Sequence, residues 1–463
     1  MADTANAEAG VAEAFAAIVG AKALLTGDQI GPDYAHDEAL VGSPVTPRYV
    51  ARPQTAEQVA QLLAAATEHR VPVTARGSGT GMSAGARPCP DGLLISFERM
   101  NAILEIDIDN QVAVVQPGVT LADLDSATAE VGLMYTVFPG ELSASIGGNV
   151  GTNAGGMRAV KYGVTRHNVL GLQAALPTGE LIRTGGRITK VSSGYDLTQL
   201  IIGSEGTCAL ATEVTVRLYP RLRHAATLLV PFVDLPAVMR AVPAVVRSGV
   251  DPVILEYIDK FTLAAISYAQ NLNLGVPQAV LETAQAYLVV GVENRERERL
   301  DDDAAMLGEL LATLGAVDVY VLEGNSAHAL IEAREKAFWT AKAAGAHDVI
   351  DVVVPRASMH AFLSKAQELA QAAGAGVIGC GHAGDGNVHL AVFCADDALR
   401  HGLLHDIFAT AMALGGAISG EHGLGRVKTE HFAALEDPVK IALMRRIKQA
   451  FDPAGILNPG VIV

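Results

Sequence analysis

The chain has 463 residues, half of them hydrophobic, which exceeds one ordinary domain and predicts two or three packed cores. A formal net charge of −16 excludes a general nucleic-acid binder, which needs a basic footprint, but leaves room for a small anionic substrate met by a local cation. The four cysteines, Cys89, Cys208, Cys380 and Cys394, form no CxxC pair, so an iron–sulfur cluster or zinc ribbon has no support and a reducing compartment is implied.

Residues 1–45 read as one helix and an irregular lead-in, without the early Lys or Arg of a signal peptide. The longest uncharged run, 261–281, contains Gln270, Asn271, Asn273, Pro277 and Gln278 and is a poor membrane span. The expectation is a cytoplasmic protein without a transmembrane segment, with peripheral membrane contact left open. Thr55, with Gln58 three residues on, predicts a helix start, and the helix runs to about His69. A strand at 71–75 leads into ARGSGTGMSAGARP, which has too many glycines for a regular element. Strands follow at 93–97, 103–108 and 111–116, and Thr120 starts another helix. A second glycine-rich loop spans 139–157. Residues 162–185 read as strand, turn, strand, and 197–220 as short helix, loop, strand. From 224 to 330, and again from 351 to 415, strands alternate with helical runs, predicting an α/β domain with a helix-covered sheet. From Gly416 the chain reads as loop-rich.

Gly79-Thr-Gly81-Met-Ser-Ala84 looks like a dinucleotide fingerprint, but that motif needs a helix directly after its glycines. Gly85, Pro88, Pro90 and Gly92 forbid one, so the Rossmann reading is rejected. Glycine loops at 76–85 and 147–156 can still converge backbone N–H groups on a pyrophosphate from two sides, with Arg76 adding one charge. Either loop alone reads equally well as an ordinary turn.

The collinear series RPQTAEQV, TARGSGTGMSAGA, PGELSASIGGNVGTNAGGM, YGVTRHNVLGL and YDLTQLIIGSEGT, over about 46–220, resembles the FAD-binding domain of the vanillyl-alcohol-oxidase-type flavoproteins. The resemblance implies FAD held by Arg76, Gly77, Ser78, Gly79, Thr80, Gly81, Met82 and Ser83, by Pro139, Gly140 and Ser143, by Gly147, Gly148, Asn149, Thr152 and Asn153, and by Glu205, Gly206 and Thr212. Some relatives attach FAD through a His in the first loop; 76–86 has neither His nor Cys, so non-covalent FAD is expected.

His382 and His389 lie seven residues apart, with Gly384 and Gly386 between them favouring a turn, and VHLAVF alternates as a strand. With Glu421 they make a plausible divalent-metal set, although on spacing alone satisfied core or surface histidines read at least as well. HAGDGNVH, SGEHGLGRVK and FDPAGILNPG resemble the C-terminal half of the D-lactate, glycolate and D-2-hydroxyglutarate dehydrogenase branch of that family. This resemblance implies zinc or manganese on His382, His389 and Glu421, His422 as catalytic base, Asn387 orienting substrate or metal shell, and Asn458 returning to the FAD. It also makes Arg334 the partner of the substrate carboxylate, where a surface helix with a Glu332–Lys336 pair is the plain alternative.

The expected architecture is α+β. A two-subdomain FAD-binding domain (46–220) follows the lead-in (1–45), then an α/β substrate or cap domain (221–415), and a segment (416–463) returns to the FAD domain. Phe338, Val349 and Ala391 fall where a dicarboxylate branch would be expected to carry polar or cationic groups, so a monocarboxylate such as D-lactate is expected. D-2-hydroxyglutarate and glycolate remain alternatives, as do a metal-free alcohol oxidation with His422 as base and a non-catalytic FAD subunit of a glycolate-oxidising complex. The expected acceptor is a quinone or an electron-transfer flavoprotein, and a homodimer is compatible with the sequence.

Overall fold

The computed structural model describes residues 2–463, with side chains from Gly10 onward. Three larger sheets and a two-stranded one, 133–134 with 219–220, carry the chain. The first has four strands, 24–26, 49–51, 93–96 and 73–76 in that spatial order, the last three parallel. The helix Ala56–Glu68 covers it; Thr55 Oγ1 accepts from Gln58 N–H, as the capping pattern predicts, and Val59, Leu62, Leu63 and Ala66 are buried. The second sheet has five antiparallel strands ordered 103–107, 112–115, 210–217, 169–175 and 181–185.

The glycine-rich stretch 147–156 is not wholly a loop. Ile146–Thr152 is a helix capped by Ser145, whose Oγ accepts from Gly148 N–H at 3.2 Å. Glycine density hid it, because helix propensity argues against Gly while the cap and close packing on Pro117 favour the turn. Residues 162–168 also differ from the strand expected. Tyr162 ends the helical turn Ala159–Tyr162, Thr165–Asn168 forms a second after Gly163 and Val164, and the strand begins only at Val169.

The third sheet has seven strands, ordered 320–322, 224–232, 286–294, 254–259, 376–381, 387–393 and 348–353. The strand–helix alternation does not make it parallel; each of its pairings is antiparallel. Helices Leu235–Arg247, Arg297–Thr313, Met359–Ala372 and Asp397–Ala413 pack on one face, burying Leu255, Tyr257, Ile350, Val352, Val388, Leu390 and Val392. On the other face helices Lys260–Ala269 and Gly324–Glu335 cover Leu229, Ile258, Tyr287 and Val289, and the site opens beside them. The C-terminal stretch is less loop-rich than expected, holding helices Thr429–Leu435 and Pro438–Phe451. It then returns to the first sheet, where Val73 N–H donates to Ile456 O and Asn458 N–H to Val73 O. Among the described residues, no helix is long and apolar enough to cross a membrane.

Candidate active site

Strand register assembles the site. Ile258 lies opposite Cys380, Cys380 opposite His389, and His389 opposite Asp351. Paired residues point to one face and so do residues two apart. Glu256, His382, His389, Ala391, Val349 and Asp351 therefore share the face that the core helices leave free.

His382 Nε2 lies 3.0 Å from Glu421 Oε1, and His389 Nε2 lies 3.2 Å from the same oxygen. One donor atom from each of the three residues falls within 4.8 Å of the others. His389 Nε2 is buried and makes no aligned hydrogen bond, having only Glu421 Oε1 beside it at 3.2 Å, so a group held between the three would satisfy it better. Two imidazoles and a carboxylate on one centre suit a divalent ion with an open position, so the residues fit zinc or manganese. Glu256, wholly buried, takes His382 Nδ1 at 2.6 Å and pairs with Arg334 Nη2 at 2.7 Å. Burial works against charge on His382, but Glu256 and Glu421 override it and lift its pKa to about 10 in the metal-free protein. Burial also penalises charge on Glu421, yet the two histidines hold its carboxyl well below the usual range.

The segment carrying Glu421 and His422 is stitched down by Asp351. Its Oδ2 accepts from the N–H groups of Gly420 (2.6 Å), Glu421 (2.6 Å) and His422 (3.0 Å). Ser419 Oγ donates to Oδ1 at 3.1 Å, and Lys428 Nζ donates to Oδ1 as well. His422 Nδ1 stands 3.4 Å from Oδ1. Burial lowers the His422 pKa to about 4, outweighing Asp351, so the ring is neutral at neutral pH. On the far side Glu205 accepts from Leu424 N–H and Gly425 N–H at 2.8 and 2.9 Å, and Ser83 Oγ donates to Gly423 O. Glu205 holds a left-handed φ of 50°, a conformation uncommon outside glycine.

Two cavities meet here. The larger, of about 210 Å³, is lined by residues 77–83, Pro139, 147–149, Thr152, Glu205 and Gly206 among others. A Cβ on Gly77 would come within 2.0 Å of Ser145 Oγ, and one on Gly79 within 2.1 Å of the Arg76 guanidinium. Both positions require glycine, and with Gly81, Gly147, Gly148, Gly151 and Gly206 in the lining they place bare backbone along the wall, as suits a pyrophosphate-bearing cofactor. The smaller cavity, of about 100 Å³, is lined by Gly140, Arg334, Phe338, Val349, Ala391 and the three metal-set residues. His422, Glu421, Met82 and Pro139 line both.

Several predicted contacts lie outside both linings. Arg76 donates to His36 O, and Ser143 Oγ donates to Glu141 Oε1 at 2.7 Å. Asn153 ends the helix Ile146–Thr152 in a left-handed turn and accepts from Arg166 N–H. Thr212 Oγ1 donates to Gln173 O. Asn458 works from behind, donating to Gly85 O and Glu205 O and so tying two wall segments together. Asn387 is buried, unpartnered, and pressed against Gly420, where a Cβ would meet its Nδ2 at 1.6 Å; it buttresses the loop rather than lining the cavity. Glu256 and Asp351 were missed from the sequence. Their signal was an acid inside an apolar strand, in VILEYID and DVIDVV.

Residues 47–185 match the model described as FAD binding domain, and 221–462 match that described as FAD linked oxidases, C-terminal domain. The chain belongs to this family of FAD-linked oxidoreductases. It is 67% identical over 448 residues to an uncharacterized FAD-linked oxidoreductase of Mycobacterium tuberculosis, covering 97% of this chain and 98% of that protein. It is 36% identical over 460 residues to a D-lactate dehydrogenase of Anaerostipes hadrus, covering 95% and 94%. It is 36% identical over 432 residues to a glycolate oxidase subunit of Bacillus subtilis, covering 90% of each. The solved structure of p-cresol methylhydroxylase with substrate bound shares the fold, with a TM-score of 0.82, 19% identity, and 99% and 97% coverage.

Proposed function

We propose that this FAD-linked oxidoreductase is a dehydrogenase of a small D-2-hydroxy monocarboxylate, D-lactate or a somewhat longer homologue, forming the 2-oxo acid. The observation that carries the reading is the shared wall: His422 and Glu421 line both cavities, so a substrate on the metal-set side meets the flavin side at the imidazole. When bound, FAD supplies a two-electron acceptor, and the metal supplies Lewis acidity toward a 2-hydroxyl group. Arg334 receives the substrate carboxylate; its guanidinium lines the cavity, with Nη2 paired to Glu256 at 2.7 Å and the buried Nε without a hydrogen-bond partner. His422, neutral at neutral pH, takes the hydroxyl proton on Nε2. Phe338, Val349 and Ala391 give the cavity an apolar wall, where an unpaired second carboxylate would cost about 3 kcal/mol or more. FAD is held without a covalent bond, and electrons pass on to a quinone or an electron-transfer flavoprotein.

The test is D-lactate oxidation with an artificial electron acceptor after prolonged chelation and again after zinc or manganese is returned. Activity lost with the metal and restored by it, with FAD retained throughout, supports the reading. Full activity in metal-free protein would mean that His422 acts on an alcohol without a metal.

A further inference from the structure

We infer that Asp351, with Lys428 as its counter-ion, is the positioning residue of His422: it fixes the loop that presents the imidazole and selects which ring nitrogen faces the substrate. The inference rests on the proposed role of His422 as base. Asp351 sits in the strand Asp348–Val353 with no exposed surface, a position where an uncompensated carboxylate is costly. Three consecutive backbone N–H groups, one hydroxyl and one ammonium offset that cost. Convergence of Gly420, Glu421 and His422 N–H on a single oxygen fixes the backbone at the two residues the chemistry needs.

A loop staple alone would not require the remaining contact. His422 Nδ1 is buried, has no hydrogen-bond partner, and faces Asp351 Oδ1 at 3.4 Å. A carboxylate at that nitrogen favours the tautomer with hydrogen on Nδ1, which leaves the lone pair on Nε2. Lys428 is almost wholly buried and serves the same oxygen, so the pair Asp351–Lys428 adds no net charge beside the ring. The acid thus orients the imidazole without touching substrate or flavin.

Asp351→Asn keeps an oxygen for the backbone donors and removes the charge. Two readouts on flavin-loaded protein decide the matter. Nitrogen-15 spectra of labelled histidine, with the His422 signals assigned by their loss in His422→Asn, should show Nδ1–H in the parent and a mixture of tautomers in the variant. Anaerobic flavin reduction by saturating D-lactate should slow by about 100-fold or more, with half-saturation changed by less than about threefold and FAD content unchanged. An unchanged tautomer, or a rise in half-saturation with no loss of maximal rate, would overturn the inference. If Asp351→Asn does not fold, Ser419→Ala removes one donor and leaves both charges. Its maximal rate should fall about three- to tenfold at constant half-saturation, and an unchanged rate would overturn the inference. Failure of every D-2-hydroxy acid to reduce the parent flavin would refute the proposed function instead, and the tautomer measurement would still decide the role of Asp351.

Discussion

Glu256→Gln tests how the proposed metal set of His382, His389 and Glu421 is built. Glu256 Oε1 holds His382 Nδ1 at 2.6 Å and Oε2 pairs with Arg334 at 2.7 Å, both wholly inside the protein. A carboxylate on the outer nitrogen of a ligating imidazole fixes its orientation and raises its basicity, and losing such a partner weakens metal binding about 10- to 100-fold. That range corresponds to about 1.4 to 2.8 kcal/mol. Glutamine preserves the shape but turns an amide N–H₂ toward either the imidazole or the guanidinium, so one of the two contacts must fail. Competition with a chelator of known affinity, followed by metal analysis of the desalted protein, reads the change directly. Metal affinity within twofold of the parent would refute the reasoning and reduce Glu256 to a partner of Arg334 alone.

Three further outcomes follow from the geometry. His422→Ala should lower the maximal rate by about 10²- to 10⁴-fold while FAD content stays constant, because the cofactor wall is mostly glycine loop; loss of flavin would mean the residue is misassigned. Gly420→Ala places a Cβ 1.6 Å from Asn387 Nδ2 and should cost about 1–3 kcal/mol by denaturant titration, with Asn387→Ser recovering part of it in the double variant; additive losses would contradict the contact. Burial pushes the Glu205 carboxyl up from its ordinary 4.5 to about 7, against the pull of Leu424 and Gly425 N–H. A raised carboxyl leaves stability intact below pH 4.5 and erodes it as pH rises toward 7. Glu205→Gln should therefore gain on the parent by up to about 3 kcal/mol between pH 5 and pH 8, and an equal difference at both pH values would contradict this.

Much of the site is legible in the sequence because its signals are local. The glycine loop at 77–83, the paired histidines around a turn and the Ser-Gly-Glu-His run each announce themselves within ten residues, and the structure brings them to two touching cavities. The helix Ile146–Thr152 was illegible because its stability comes from the Ser145 cap and close packing rather than from propensity. The turns at 159–168 and the helices after Thr429 were likewise lost to irregular-looking sequence. Asp351 and Glu256 needed the tertiary structure, because their partners lie far away in the chain: Gly420 and Lys428 are 69 and 77 residues from Asp351, and His382 is 126 from Glu256. Asn458 and Asn387 carry motif positions, yet they serve the walls from behind, a distinction that only packing reveals.

The central claim is tested most directly by the visible absorbance of the bound flavin, followed anaerobically as D-lactate, L-lactate, glycolate and D-2-hydroxyglutarate are offered in turn. No electron acceptor is needed, so only substrate, metal set and flavin are read. Rapid bleaching by D-lactate, with neither its mirror image nor D-2-hydroxyglutarate matching it, is the predicted result. Bleaching by D-2-hydroxyglutarate at about tenfold the D-lactate rate or more would contradict the monocarboxylate assignment, since it would demand a favourable site for a second carboxylate on an apolar wall.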